Sequence, residues 1–326
     1  MHKNIKTAFI IIAGVFALLA VLAILSGAFS VLAEAEPLAF IAGALFFIAS
    51  IIVWMLAWAI LIKGGRTFEK IKIGFACVFA SMTPVQLGAD AMRSLKMKDV
   101  FFTSYQETIA ASMVVKGLKF LVIALATSAS FFFAIMHPAL QLWVKAILVS
   151  GFAVVVLASL LFLLPLKKGI GFKIADIFDR LSKRLHFLSR VSDYFRHYSL
   201  YLKTIPAKTL ALIAFLAIVS LAFEFIAFAF CFFAANAPIP FYPMLMLFTI
   251  LAILERVPFL PKGIGIVEIF GILFLSIESF MIEPLSIQQI VAVIILFDLM
   301  RLVIPTFLSM ITYFLVFKKT KVSNFG

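Results

Sequence analysis

Apolar residues run in long blocks along this chain, and polar residues gather between them. A membrane crossing needs about 20 apolar residues to traverse about 30 Å of hydrocarbon. By that measure Thr7 to Phe29 is the first span and Leu38 to Ile62 the second. A third begins around Lys116, after a helical approach from Phe101, and ends at Met136. A fourth covers Ala139 to Leu166 and a fifth Leu210 to Ala235. The last third is interrupted by Pro and Gly and reads as Tyr242 to Leu260, Ile264 to Met281 and Ile287 to Phe317. The pattern predicts an all-α polytopic membrane protein with about eight transmembrane helices, in one domain over residues 1–326.

Composition excludes several other classes. Of 326 residues, 65% are hydrophobic and 13% charged, so the chain is no disulfide scaffold, disordered tail or one-domain cytosolic enzyme. The 28 Lys and Arg exceed the 15 Asp and Glu, a net charge of +13. Their placement sets the orientation. Residues 167–208 hold ten Lys or Arg against three Asp. Basic residues also mark the N-terminus (Lys3, Lys6), the turn after the second span (Lys63, Arg66, Lys70, Lys72) and the C-terminus (Lys318, Lys319, Lys321). The opposite connections carry Glu34, Glu36, His137 and Glu283. Both termini are therefore expected in the cytoplasm, with the chain in the cytoplasmic (inner) membrane. Lys145, just inside the fourth span, would snorkel outward.

The basic start and the small-x-small Ala33-Glu34-Ala35 resemble a signal peptide, but the apolar run is too long and the site lies several residues beyond it. An uncleaved first span is expected. Cys77 and Cys231, in different halves and apolar surroundings, read as buried inert thiols. The four His are scattered through termini, loops and the basic connection, and no metal spacing occurs. No cofactor, metal or nucleic-acid partner is expected.

Residues 165–209 read as a cytoplasmic basic amphipathic helix. Phe178, Leu181, Leu185, Leu188, Val191, Phe195 and Tyr198 recur at steps of three and four, with Lys173, Arg180, Lys183, Arg184, Arg190 and Arg196 available to the other faces. Such a helix lies in the headgroup layer, either as an interfacial anchor or as an attractor of anionic headgroups.

Two broken segments hold the candidate chemistry. In the first, Pro84 is followed four residues later by Gly88, then by Asp90 and Arg93. In the second, Pro261 is followed four residues later by Gly265, then by Glu268. Such paired breaks in the two halves of a membrane protein point to a midplane site, where irregular backbone lines protein or a wet cavity. Backbone N–H groups freed there would suit a phosphate. Each ionisable residue within a span costs roughly 2.5–3.5 kcal/mol at mid-helix on insertion scales and needs a reason to be there. Glu224, Glu255, Arg256, Asp298 and Arg301 are such residues, and Asp298 and Arg301 repeat the acid–Arg spacing of Asp90 and Arg93. Two readings stand: ion pairs that hold helices in register, or a polar cavity in which Arg93 and Arg301 receive a phosphate.

At these stretches the chain resembles the lysylphosphatidylglycerol-synthase transmembrane, or flippase-like, integral membrane proteins. Thr83-Pro84, Gly88, Asp90 and Arg93 match that family's early motif. Pro261-Lys262-Gly263-Ile264-Gly265-Ile266-Val267-Glu268 matches its late Pro-Gly-Gly-x-Gly-x-x-Glu motif, and Arg301 its Arg in the last span. Ala89, Asp90 and Lys262 depart from the usual residues. The resemblance implies a stand-alone lipid translocase, the chain ending nine residues after the last span without the catalytic domain of the longer synthases. Its substrate would be an anionic or phosphate-bearing lipid or lipid-linked glycan. The substrate-binding and translocation residues would be Thr83, Pro84, Gly88, Asp90, Arg93, Glu224, Pro261, Gly263, Gly265, Glu268, Asp298 and Arg301, with no catalytic motif. The alternatives are an intramembrane lipid-modifying enzyme using Asp90 and Glu268 as acid and base, and a non-catalytic membrane partner of a glycosyltransferase or synthase. Expected partners are membrane lipids with an anionic or polyprenyl-phosphate headgroup. A homo-oligomer or a separate glycosyltransferase or synthase partner stays open.

Overall fold

In the computed structural model, which describes residues 10, 13–14, 17, 19–21, 23–82, 88–136, 141–166, 169–182, 187–256, 261–277 and 284–318, every regular element described is helical. Nine of the 23 residues of the first expected span, and Glu283, lie outside these residues. Five helices are long and apolar enough to cross a membrane: α1 (Pro37–Leu61), α4 (Tyr105–Met136), α5 (Leu142–Leu163), α8 (Ala207–Ala234) and the final Ile287–Phe317 stretch. Pro37 sits in the first turn of α1, where its missing N–H costs nothing. α1 packs along α8, and α4 along α5. At Gly43 of α1 an added Cβ would come 2.9 Å from Phe230 Cβ, so this close approach requires glycine.

The two broken segments do not cross. The first comprises α2 (Thr67–Ala76), a 3-10 turn (Val78–Met82) and α3 (Gly88–Phe101). The Lys63 N–H, just past α1, donates to Glu107 Oε1 at the start of α4, 3.0 Å away. α1 therefore ends where α4 begins, and the intervening segment leaves and returns on one side. The second comprises α9 (Phe241–Leu254), a turn at Pro261–Gly263 and α10 (Ile266–Leu275). At about 21 and 15 Å, neither helix spans the hydrocarbon. Gln289 Nε2, one turn into α11 (Ile287–Asp298), donates to the Asn236 carbonyl at the end of α8, 2.9 Å away. So the expected sixth and seventh spans are two arms of one hairpin. It enters from the end opposite to the first: the Glu36 N–H before α1 donates to the Ala234 carbonyl at 2.9 Å. The 3-10 turn Val78–Met82 touches Pro261–Gly263, so the hairpins meet tip to tip.

The last span threads between them. α11 continues through a π-helical turn, Leu299–Val303, into α12 (Ile304–Lys318). Its most apolar window is 78% buried against 22–39% for the other four, which makes it the axis of the bundle. Cys77 and Cys231 are both free and buried.

The single amphipathic helix expected over residues 165–209 is instead two helices, α6 (Ile170–Ser182) and α7 (Phe187–Leu202), packed on each other. Phe178 stacks on Phe195 with centroids 5.6 Å apart, and Ser192 Oγ donates to the Ala175 carbonyl at 2.9 Å. Arg196 pairs with Asp176 and Asp179. A stripe at steps of three and four is satisfied equally by one long helix on a flat surface and by a folded pair. The pair stacks Phe178 on Phe195 and buries Tyr198, while Leu181 stays 47% exposed. Tyr201 ties it to the bundle by donating to the Leu61 carbonyl at 2.7 Å. Burial, reinforced by Glu107, pushes that hydroxyl's pKa up, so it stays a donor.

Candidate functional site

The π-helical turn places Arg301 at the hub of the buried charge. A π turn inserts an extra residue into the helical ladder and redirects the side chains that follow, which is why such turns recur at functional sites. Arg301 is fully buried, and each of its nitrogens donates. Nε meets Asp298 Oδ1 at 2.6 Å, Nη2 meets Glu268 Oε1 at 2.8 Å and Nη1 meets the Lys262 carbonyl at 2.8 Å. Lys262 returns the contact through Nζ, 3.1 Å from the Arg301 carbonyl. The other oxygen of Glu268 accepts from the Gly265 N–H at 2.5 Å, capping α10. The hairpin tip is thus riveted to the last span from both sides.

Glycine makes the tip possible. A Cβ on Gly263 would come 2.7 Å from the Leu254 carbonyl oxygen, so the arms approach backbone to backbone. Lys262 adopts φ 47°, ψ 31°, a left-handed conformation that costs a non-glycine residue about 1–2 kcal/mol. The late motif has Gly at this position, and the Lys ammonium on Arg301 offsets that strain.

A second group lies across the first hairpin. Asp90, in the first turn of α3, is a bridging carboxylate: Arg93 Nη2 lies 3.0 Å from Oδ1, and Lys116 of α4 donates to Oδ2. The Arg93 guanidinium sits 5.5 Å from the Trp58 ring centroid. One turn on from Lys116, Lys119 pairs with Glu224 of α8 and lies 4.7 Å from the Trp54 ring. Glu255 joins the two groups. It is 3.8 Å from Arg256 and within electrostatic reach of Lys262, Arg301 and Lys119. Among the described residues, six cations and five carboxylates lie in neighbouring groups: Asp90 with Arg93 and Lys116, Lys119 with Glu224, Glu255 with Arg256, and Glu268 and Asp298 with Arg301 beside Lys262.

Of the expected residues, Asp90 and Arg93 pair in one group, Glu224 pairs with Lys119 in a second, and Glu268, Asp298 and Arg301 form a third, with Pro261, Gly263 and Gly265 at the hairpin tip beside it. Gly88 begins α3. Thr83 and Pro84 lie outside the described residues. Sequence reasoning missed Lys116, Lys119, Trp54 and Trp58. The apolar pattern starts the third span around Lys116, which makes that lysine a flank. The helix begins at Tyr105, and Lys116 stands about 17 Å along it. Applying the cost of intramembrane charge to a span begun earlier would have found both lysines.

A family model described as the lysylphosphatidylglycerol synthase TM region matches residues 6–309. No curated protein matches the chain, and no solved structure does.

Proposed function

The chain belongs to the lysylphosphatidylglycerol synthase TM region family, and from that premise we propose that it is a lipid translocase moving an anionic, phosphate-bearing lipid between the leaflets of the cytoplasmic membrane. The observation that carries this reading is the meeting of two opposed hairpins beside a series of charge pairs set among the spans. Hairpins entering from opposite ends are the construction by which inverted-repeat transporters build a midplane site reachable from either side. Counted at formal charge, six cations against five carboxylates leave one positive charge in excess, which suits an anionic headgroup. The acyl chains would stay in the bilayer while the headgroup passes along the charged seam. Under the positive-inside rule the basic end, with both termini, faces the cytoplasm. The enzymatic alternative has less support, because Asp90 and Glu268 are each committed to their own cations.

Proteoliposomes carrying a fluorescent phosphatidylglycerol test the proposal, with dithionite bleaching reporting exposure of the label. Wild-type protein should speed exposure over protein-free vesicles. Lys119→Met should slow it at least tenfold at equal folded protein. Equal rates in wild-type and protein-free vesicles would overturn the translocase reading.

A further inference from the structure

The Glu268, Asp298 and Arg301 group sets two carboxylates against one guanidinium. All three side chains are buried, Asp298 and Arg301 completely. Of the four carboxylate oxygens, three receive a donor. Glu268 Oε1 accepts from Arg301 Nη2, Glu268 Oε2 from the Gly265 N–H and Asp298 Oδ1 from Arg301 Nε. Among the described residues Asp298 Oδ2 receives none, and this carboxyl lies within hydrogen-bonding reach of Glu268. An ionised carboxylate only accepts, so two of them in contact repel and leave that oxygen without a partner.

A single proton resolves both conflicts. On Asp298 Oδ2 it turns an acceptor without a donor into a donor whose acceptor, Glu268, lies beside it. It also leaves one negative charge against the one guanidinium, where two ionised carboxylates would leave the buried group negative. The surroundings offer no simpler remedy. α8 presents the Cys231 thiol to Asp298, and Glu255, just past α9, brings a further acid within reach of Arg301. Lys262 directs its ammonium to the Arg301 carbonyl and is attracted by Glu255 and Glu224. α1, packed on the π turn, and the short helix Phe29–Ala33, packed on α11, carry no titratable residue.

We propose that Asp298 and Glu268 share one proton, carried on Asp298 Oδ2 and donated to Glu268, and that this pair couples lipid movement to the proton gradient. Acids inside spans are the groups from which pumps and transporters build proton relays. Loading forms the Oδ2–H bond with a proton taken from water on one side of the membrane. Release breaks that bond and returns the proton to water on the other side, leaving both carboxylates on Arg301, and no electron moves. The coupling rests on the translocase reading; the shared proton does not. One proton carried with one singly negative lipid is electroneutral, so a pH difference drives the movement and a membrane potential does not.

Infrared spectroscopy of the purified full-length protein reads the proton directly, because the C=O stretch of a protonated carboxyl stands apart from carboxylate bands and shifts in D2O. Wild type should show that band at neutral pH, and Asp298→Asn should remove it. Glu268→Gln should remove it too, since the new amide supplies Asp298 Oδ2 with a donor. Asp298→Asn keeps an N–H where the O–H stands, so its thermal midpoint should stay close to that of wild type. No band in wild type, or a band undiminished in Asp298→Asn, overturns the shared proton. So does a midpoint for Asp298→Asn that falls as far as that of Arg301→Met, the mark of a broken ion pair. Proteoliposomes holding fluorescent phosphatidylglycerol under an imposed pH difference read the coupling. One pH unit should draw the label to about a tenfold excess in the leaflet facing the higher pH, an excess that protein-free vesicles do not develop in the same time. Asp298→Asn should develop none. Label moved by wild type but shared equally between leaflets at every pH difference overturns the coupling and leaves the translocase reading standing. If wild type moves no label, the translocase reading falls and the coupling with it, while the infrared band still decides the shared proton.

Discussion

Replacing Arg301 with methionine removes the hub of the buried network while keeping the volume of its stem. Three hydrogen bonds go at once, to Asp298, Glu268 and the Lys262 carbonyl, at 2.6, 2.8 and 2.8 Å. Asp298 and Glu268 are fully or nearly fully buried, so water cannot replace the lost donor. Breaking one buried ion pair by removing a single partner costs roughly 3–5 kcal/mol, and here two carboxylates are stranded together. Arg301→Met should therefore lose about 5 kcal/mol of folding stability. The triple variant Arg301→Met, Glu268→Gln, Asp298→Asn carries no stranded charge and should recover about half of that. Equilibrium unfolding in mixed micelles of detergent and SDS, followed by near-UV circular dichroism, measures both. A loss under about 1 kcal/mol for the single variant, or a triple variant no more stable than the single one, would refute the claim that Arg301 rivets the second hairpin to the last span.

Three further outcomes are expected from the same assay. Lys262→Gly should be about 1 kcal/mol more stable than Lys262→Ala, since both lose the ammonium on Arg301 but only glycine relieves the left-handed strain. Gly263→Ala should cost about 2–4 kcal/mol, because the new methyl meets the Leu254 carbonyl and the Glu255 Cα, whereas Gly265→Ala meets nothing within 4 Å and should cost about 1–2 kcal/mol through strain alone. Lys70 donates to the Ala59 and Ile62 carbonyls at 3.2 and 2.5 Å and so caps the end of α1; Lys70→Met should cost about 1–3 kcal/mol and lose amide-exchange protection at that end first.

The hydrophobic pattern by itself determined the membrane class, five of the crossings and the two places where the chain must break. Transfer of side chains from water to hydrocarbon depends on local composition, so about 20 apolar residues are legible without any fold. Proline and glycine at Pro84, Gly88, Pro261 and Gly265 were legible for the same reason, since their backbone effects are local. Whether a broken segment crosses or returns was not legible. Residues 242–281 hold enough apolar length for two crossings, and only contacts such as Gln289 to Asn236 show that both arms end on the side where they began.

The pairing of charge was hidden too. Asp90 and Arg93 are one turn apart and readable on a helix, but Lys116 is 26 residues from Asp90 and Lys119 is 105 residues from Glu224. A lone charge in a span announces that it has a partner, because leaving it unpaired in hydrocarbon is costly, and says nothing about which one. Tertiary structure decided that. It set Lys116 against Asp90, Lys119 against Glu224 and Arg301 against Glu268, because in a medium without water a buried charge needs a counter-ion from within the same fold.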